Sequence, residues 1–195
     1  MSHTESSAVS LARLSGYLAP VVTLGGILLA IVVSPSFSWS ESALSDLGVA
    51  ASTALLFNGG LVVGGLLGLP YAYALWHDGP GGLGRLTPLS FALAVTAMGL
   101  VGVFVSGTPL HFPVALSFYL LVSTTLALDG LARWSAREGR VAALLGVAHL
   151  VGWVVWVSGV RFGTGLAVPE TVGAVVFATW VLGLSPAGLL SSRVR

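Results

Sequence analysis

"SDLGVAASTALLFNGGLVVGGLLGLP", residues 45–70, carries one acid near its start and then runs apolar to its end. Asp46 is its only charge and Asn58 its only carboxamide; the other polar positions are small hydroxyls and glycines. At about 1.5 Å per residue, a helix of this length crosses the roughly 30 Å of a bilayer's hydrocarbon core. The stretch lacks the period-two alternation of a membrane β-strand. In lipid the backbone N–H and C=O groups must be satisfied within the segment, which leaves the α-helix.

Reading outward, the same pattern recurs, with apolar runs at about 12–34, 50–76, 88–107, 113–133, 141–160 and 170–190. The breaks are short and rich in turn residues: "SPSFSWSES", "HDGPGGLGRLTP", "GTPLHFP", "SAREGR" and "RFGTGLAVPE". The 195 residues are 55% apolar and only 8% charged, with a mean hydropathy of +0.96. A soluble domain carries about 25% charged residues, so this chain cannot cover a water-facing surface. The expected fold is all-α, one integral membrane bundle of six transmembrane helices. It spans residues 12–190, flanked by a frayed polar N-terminus, 1–11, and a C-terminal tail, 191–195. The first run has an apolar core longer than the roughly 7–15 residues of a secretory signal and reads as a retained helix. The absence of cysteine removes disulfides and thiolate chemistry. A net charge of +1 with no basic stripe argues against a nucleic-acid partner.

The arginines segregate. With six crossings, one side of the membrane carries Arg13, Arg85, Arg133, Arg137, Arg140, Arg193 and Arg195, and the other carries Arg161 alone. Positive residues favour the cytoplasmic side, so both termini are expected there and the protein is expected in the cell membrane. Trp76 and Trp134 then fall at the inner interface, Trp39 and Trp156 near the outer one.

The remaining polar groups are few enough to weigh singly. Asp129 and Arg133 are four apart and read as an i,i+4 pair with a snorkelling arginine at the inner interface, or as a proton or ion step. The outer half holds Glu41, Asp46, His111, Arg161 and Glu170, with Asn58 and His149 deeper. Ionisable groups within a membrane are costly and are functional candidates by default. Asp46 reads either as a cap at the start of the second helix or as a partner for His111. Asn58 lies roughly 18 Å along the helix from Asp46 and reads as an interhelical hydrogen bond. His111, held between Pro109 and Pro113, is a wetted interfacial residue or a titrating group facing Asp46. His149 shares a helix face with Trp153 and Trp156 and reads as a neutral donor to a neighbouring helix, a relay or a ligand. Gly60, Gly64 and Gly68 form a ladder for close helix packing, and Pro70 is expected to break or kink the helix. No HxxxH or HExxH spacing is present, and the depth separating His149 from His111 argues against a metal; no cofactor motif appears either.

Three segments, "SDLG" (45–48), "FNGGLVVGGL" (57–66) and "GVFVSGTPLHFPVALSFYL" (102–120), resemble the six-helix membrane proteins grouped as domain of unknown function 998. That group is distantly similar to the Frag1, DRAM and Sfk1 proteins. The resemblance implies the same six-helix topology and carries over Asp46, Asn58 and His111. It brings no established activity, and the wider set's association with membrane lipids implies a lipid ligand by analogy only. The second half, including His149 and Arg161, matches no motif.

The expected function is therefore non-catalytic binding of a membrane lipid or small amphiphile in an outer-leaflet cavity. Asp46, His111 and Arg161 would rim it, with Asn58 and His149 deeper and Arg161 suited to a phosphate head group. The rival is a membrane-embedded lipid-modifying enzyme with Asp46 and His111 as catalytic acid–base pair; a small transporter ranks third.

Overall fold

The computed structural model describes residues 3–191, and every regular element among them is helical. α1 (His3–Val33), α2 (Ala54–Asp78), α3 (Leu86–Val103), α4 (His111–Ala132), α5 (Arg137–Val157) and α6 (Ala167–Thr179) follow one another along the chain. A 3-10 turn, Gly82–Arg85, leads into α3, and a π-helical turn, Trp180–Leu184, extends α6. The six apolar spans are 18 to 28 residues long, and only 17% to 50% of each is buried within the protein. The outward faces remain apolar, with Leu11, Leu55, Leu66, Leu144 and Val154 more than half exposed. Such a surface is compatible with hydrocarbon and not with water.

Several boundaries differ from the sequence expectation. The segment 1–11 is not frayed where it is described, because α1 is already helical at His3; extending a long helix adds one hydrogen bond per residue without a new nucleus. Arg193 and Arg195, in the expected tail, lie outside the described residues. α2 starts at Ala54, after a separate 3-10 turn at Leu44–Gly48, and it runs through Pro70 to Asp78 without ending. A proline removes one helical hydrogen bond. Here the Ser15 hydroxyl of α1 donates to the Leu67 carbonyl at 2.5 Å in the turn before Pro70, tying α1 to α2 beside the proline. The sixth span ends at Leu184, and Ser185–Ser191 folds back on it through Leu189 N–H to the Leu182 carbonyl at 2.8 Å.

α1 to α5 pack side by side in chain order, and glycines set the spacing. A Cβ on Gly60 would lie 3.2 Å from the Gly26 Cα of α1, and one on Gly65 would lie 2.8 Å from the Val95 carbonyl of α3. The ladder therefore serves two partners: Gly60 and Gly64 face α1, while Gly68 has rotated to meet Val95 of α3. α6 packs less closely, against α4, α5 and, through its π turn, α1. Aromatic rings fill the space it leaves. Phe91 of α3 meets Phe177 and Trp180 at centroid separations of 5.6 and 5.8 Å, and Phe118 of α4 meets Phe177 at 6.0 Å.

Polar clamps close the end that holds the termini. Arg13 donates to both carboxylate oxygens of Asp78, at 2.9 and 2.7 Å. Tyr17 donates to the Ala187 carbonyl at 2.6 Å, and the buried Tyr71 donates to that of Val181 at 2.8 Å.

Candidate functional site

At the end remote from the termini, two long loops dock on each other. The α5–α6 loop places Gly165 N–H on the Ser40 carbonyl and Ala167 N–H on the Ser42 carbonyl, both at 2.9 Å. Gly163 adopts φ +132°, and a Cβ there would sit 2.1 Å from the Ser40 carbonyl oxygen, so both backbone angle and contact require glycine. The α1–α2 loop is held to the bundle as well. Thr53, fully buried, donates to the Leu47 carbonyl at 2.7 Å, and Leu44 N–H donates to Glu170 Oε2 at 2.6 Å.

Beneath this cap lies a cavity bounded by α1, the Leu44–Gly48 turn, α2, α3, α4 and α6. Counting its open mouth, the space free of protein atoms is about 820 Å³, of which only about 70 Å³ is wide enough for the centre of a water molecule. It is a narrow slot. Its long walls are apolar, formed by residues such as Ile27, Leu61, Met98, Ala174 and Phe177. Ser45, His111, Tyr119 and Glu170 supply polar groups, and Thr23 lines it from α1. α1 and α6 both line the slot, and they meet chiefly through the π turn that extends α6.

Glu170 is the chemically distinctive member. Its side chain is 93% removed from solvent by the residue measure, with 7% exposed. One oxygen accepts the Leu44 N–H. Among the described residues no arginine or histidine is within ion-pair distance of it. The hydroxyls of Ser45 and Tyr119 have no protein hydrogen-bond partner among the described residues.

The five residues singled out from sequence do not converge. His111 alone lines the slot. Its Nδ1 is 2.7 Å from the Phe104 carbonyl, which can only accept, so Nδ1 carries the proton and Nε2 is the nitrogen not engaged by protein. Asp46 is exposed and accepts the Ala43 N–H at 2.8 Å. It caps the one-turn helix before α2 rather than α2 itself. No hydrogen bond links Asp46 to His111. Asn58 donates to the Gly48 carbonyl at 2.8 Å; it ties the preceding turn to α2 and makes no interhelical bond. His149 is buried between helices, accepting from Trp153 Nε1 at 3.1 Å and paired through Nδ1 with Ser123 Oγ of α4 at 2.8 Å. Both ring nitrogens are therefore occupied, with the proton on Nδ1. Arg161 is exposed, stacked 4.5 Å over the Trp156 ring with Nε on the Trp156 carbonyl at 3.3 Å. It does not line the slot because its own helix end satisfies it first.

Glu170, Tyr119 and Ser45 are the groups that a reading centred on Asp46 and Arg161 passes over. Glu170 had a visible signal, an acid inside the last apolar run with no arginine three or four positions away on its own helix. Ser45 and Tyr119 had none.

A second polar centre lies at the termini end. Asp129 is 1% exposed and is gripped by Arg133 through Nε, at 2.7 Å, and Nη2. Trp180 Nε1 donates to the same carboxylate at 2.8 Å, and Arg133 Nη2 also donates to the Leu184 carbonyl at 2.5 Å. Asp129 is buried and Arg133 partly buried against the π turn that ends α6.

Six lipid-compatible spans around one internal slot define a multi-pass α-helical membrane protein. The family model described as protein of unknown function, DUF998, matches residues 17–186, and the chain belongs to that family. No curated protein and no solved structure matches it.

Proposed function

We propose that this is a cell-membrane protein, with both termini in the cytoplasm, that binds one lipid or small amphiphile in the slot. The polar end then lies in the outer leaflet. A single observation carries the reading: unpartnered polar groups sit among the walls of a slot that is otherwise apolar, the profile of a site for an amphiphile. The sparse packing between α1 and the Ala167–Thr179 part of the sixth span supports lateral entry from the membrane. The enzyme reading has no Asp46–His111 hydrogen bond to start from: Asp46 caps a turn backbone, and His111 meets the Phe104 carbonyl through Nδ1 while its Nε2 is not engaged by protein. Transport is the third reading: α1 and α2 run uninterrupted through Pro20 and Pro70, whereas α6 passes into a π-helical turn.

Native mass spectrometry of the full chain, released from mild detergent, tests this. The wild type is expected to carry an adduct of constant mass, and Ala174→Phe, which fills the slot, is expected to reduce its occupancy at least about tenfold, a loss of about 1.4 kcal/mol. A wild type free of any adduct in several detergents, with added membrane lipid extract leaving it so, overturns the proposal.

A further inference from the structure

The charge character of the slot identifies the kind of head group it takes, an inference that rests on the binding reading above. We infer that the ligand is an amphiphile whose head donates hydrogen bonds, a primary ammonium above all and a hydroxyl next, and that carboxylate and phosphate heads are disfavoured.

Three observations support this. The only acidic or basic side chain of Asp, Glu, Lys or Arg type lining the slot is Glu170, and no cation among the described residues pairs with it. The arginine that sequence reading assigned to a phosphate, Arg161, is spent on Trp156. The groups left over are the second oxygen of Glu170, the Nε2 of His111 once Nδ1 is on Phe104, and the hydroxyls of Ser45 and Tyr119, which accept as well as donate. An acid held away from water with no cation beside it gains a counter-ion from an ammonium head and none from an anionic one. An ammonium has three donors and no acceptor, so it complements this set directly. A hydroxyl offers one donor and complements it in part. A phosphate offers only acceptor oxygens to a wall that lacks an opposing cation.

The walls set the tail. Ile27, Leu61, Met98 and Phe177 give the slot apolar sides that suit a methylene chain. Phe177, Ala178 and Val181 of α6 continue the apolar wall toward the termini end.

The test uses four twelve-carbon photoreactive probes that share one diazirine-bearing tail and differ only in the head: ammonium, hydroxyl, carboxylate or phosphate. The full-length protein in mild detergent is irradiated with each, and labelled peptides are mapped. The ammonium probe is expected to label α6 around Ala174–Val181 about tenfold more than the carboxylate and phosphate probes, with the hydroxyl probe between. Glu170→Gln, which keeps an acceptor for Leu44 N–H, is expected to bring ammonium and hydroxyl labelling within about twofold of each other. Tyr119→Phe gives a second variant that leaves the Leu44 tie intact, and it is expected to weaken hydroxyl labelling. Equal labelling by all four heads, or preference for an acidic head, overturns the head-group inference while leaving the binding site standing. Failure of every probe to label the slot overturns the binding site itself, and the inference with it.

Discussion

Asp129 and Arg133 show what an ion pair does once lipid excludes water around it. A surface pair of this spacing is worth a few tenths of a kcal/mol. Here the carboxylate also receives Trp180 and the guanidinium also donates to Leu184, so one cluster fixes the end of α6 to α4. Removing one partner leaves the other charge buried and uncompensated, which costs about 3–5 kcal/mol in comparable sites. Asp129→Leu and Arg133→Met are each expected to destabilise by about that amount in a detergent-unfolding titration. The double variant is expected to recover to within about 2 kcal/mol of wild type, because neither charge is stranded. Additive single effects would show that the pair acts independently of burial. The sequence makes the i,i+4 spacing legible but not its depth, since Trp180 and Leu184 arrive from more than fifty residues further along the chain. The same limit governs the candidate site. Asp46 and Asn58 are conspicuous on paper, but each is used by backbone within ten residues of itself. Glu170 reaches Leu44 across 126 residues, and no local pattern encodes that contact.

Helices in lipid gain little from burying apolar surface against each other, so close backbone approach has to supply the packing. α2 has glycines toward both neighbours, and this makes it the central plank of the bundle. Gly65→Val places side-chain atoms into the Val95 carbonyl and Gly99 of α3, where only backbone lies within reach. It is expected to separate α2 from α3, seen as loss of the monodisperse peak on size exclusion after mild heating. Gly25→Ala serves as the control: a Cβ there meets nothing within 4 Å, and the helix gains roughly 0.5–1 kcal/mol of propensity. Its melting temperature is expected to stay level or rise slightly. Equal loss from both substitutions would mean that glycine acts through helix propensity and not through approach distance. At this scale the sequence is most legible. Six apolar runs become six helices because length and hydropathy leave the backbone no other solution in a membrane. The boundaries slip by several residues where physics is less strict. α1 runs on into polar Ser6, Ser7 and Ser10, and α2 waits until Ala54 because Asp46 and Thr53 stabilise a separate turn first.

Taken whole, the molecule has two unlike ends. One gathers Arg13, Arg85, Arg133, Arg137 and Arg140 with the termini; the other presents two docked loops, exposed Glu41 and Asp46, and the single Arg161. That asymmetry supports the proposed orientation, on which the proposed outer-leaflet position of the slot depends. The chain contains no cysteine, so single cysteines report position without background. Ser36→Cys and Ser135→Cys place one thiol at each end, both at exposed positions in connecting loops. In intact cells a membrane-impermeant maleimide is expected to label Ser36→Cys and to spare Ser135→Cys until the cells are permeabilised. The outcome decides more than direction. If the pattern is reversed, the bundle and its slot stand unchanged, but the polar mouth opens on the cytoplasmic leaflet, and the amphiphile drawn from the bilayer must come from that side. If both positions label in intact cells, an even number of crossings separates them in place of the three of α2, α3 and α4, and the slot is no longer enclosed as proposed. The segregation of five arginines to one end against one at the other makes labelling of the Ser36→Cys end alone the expected result.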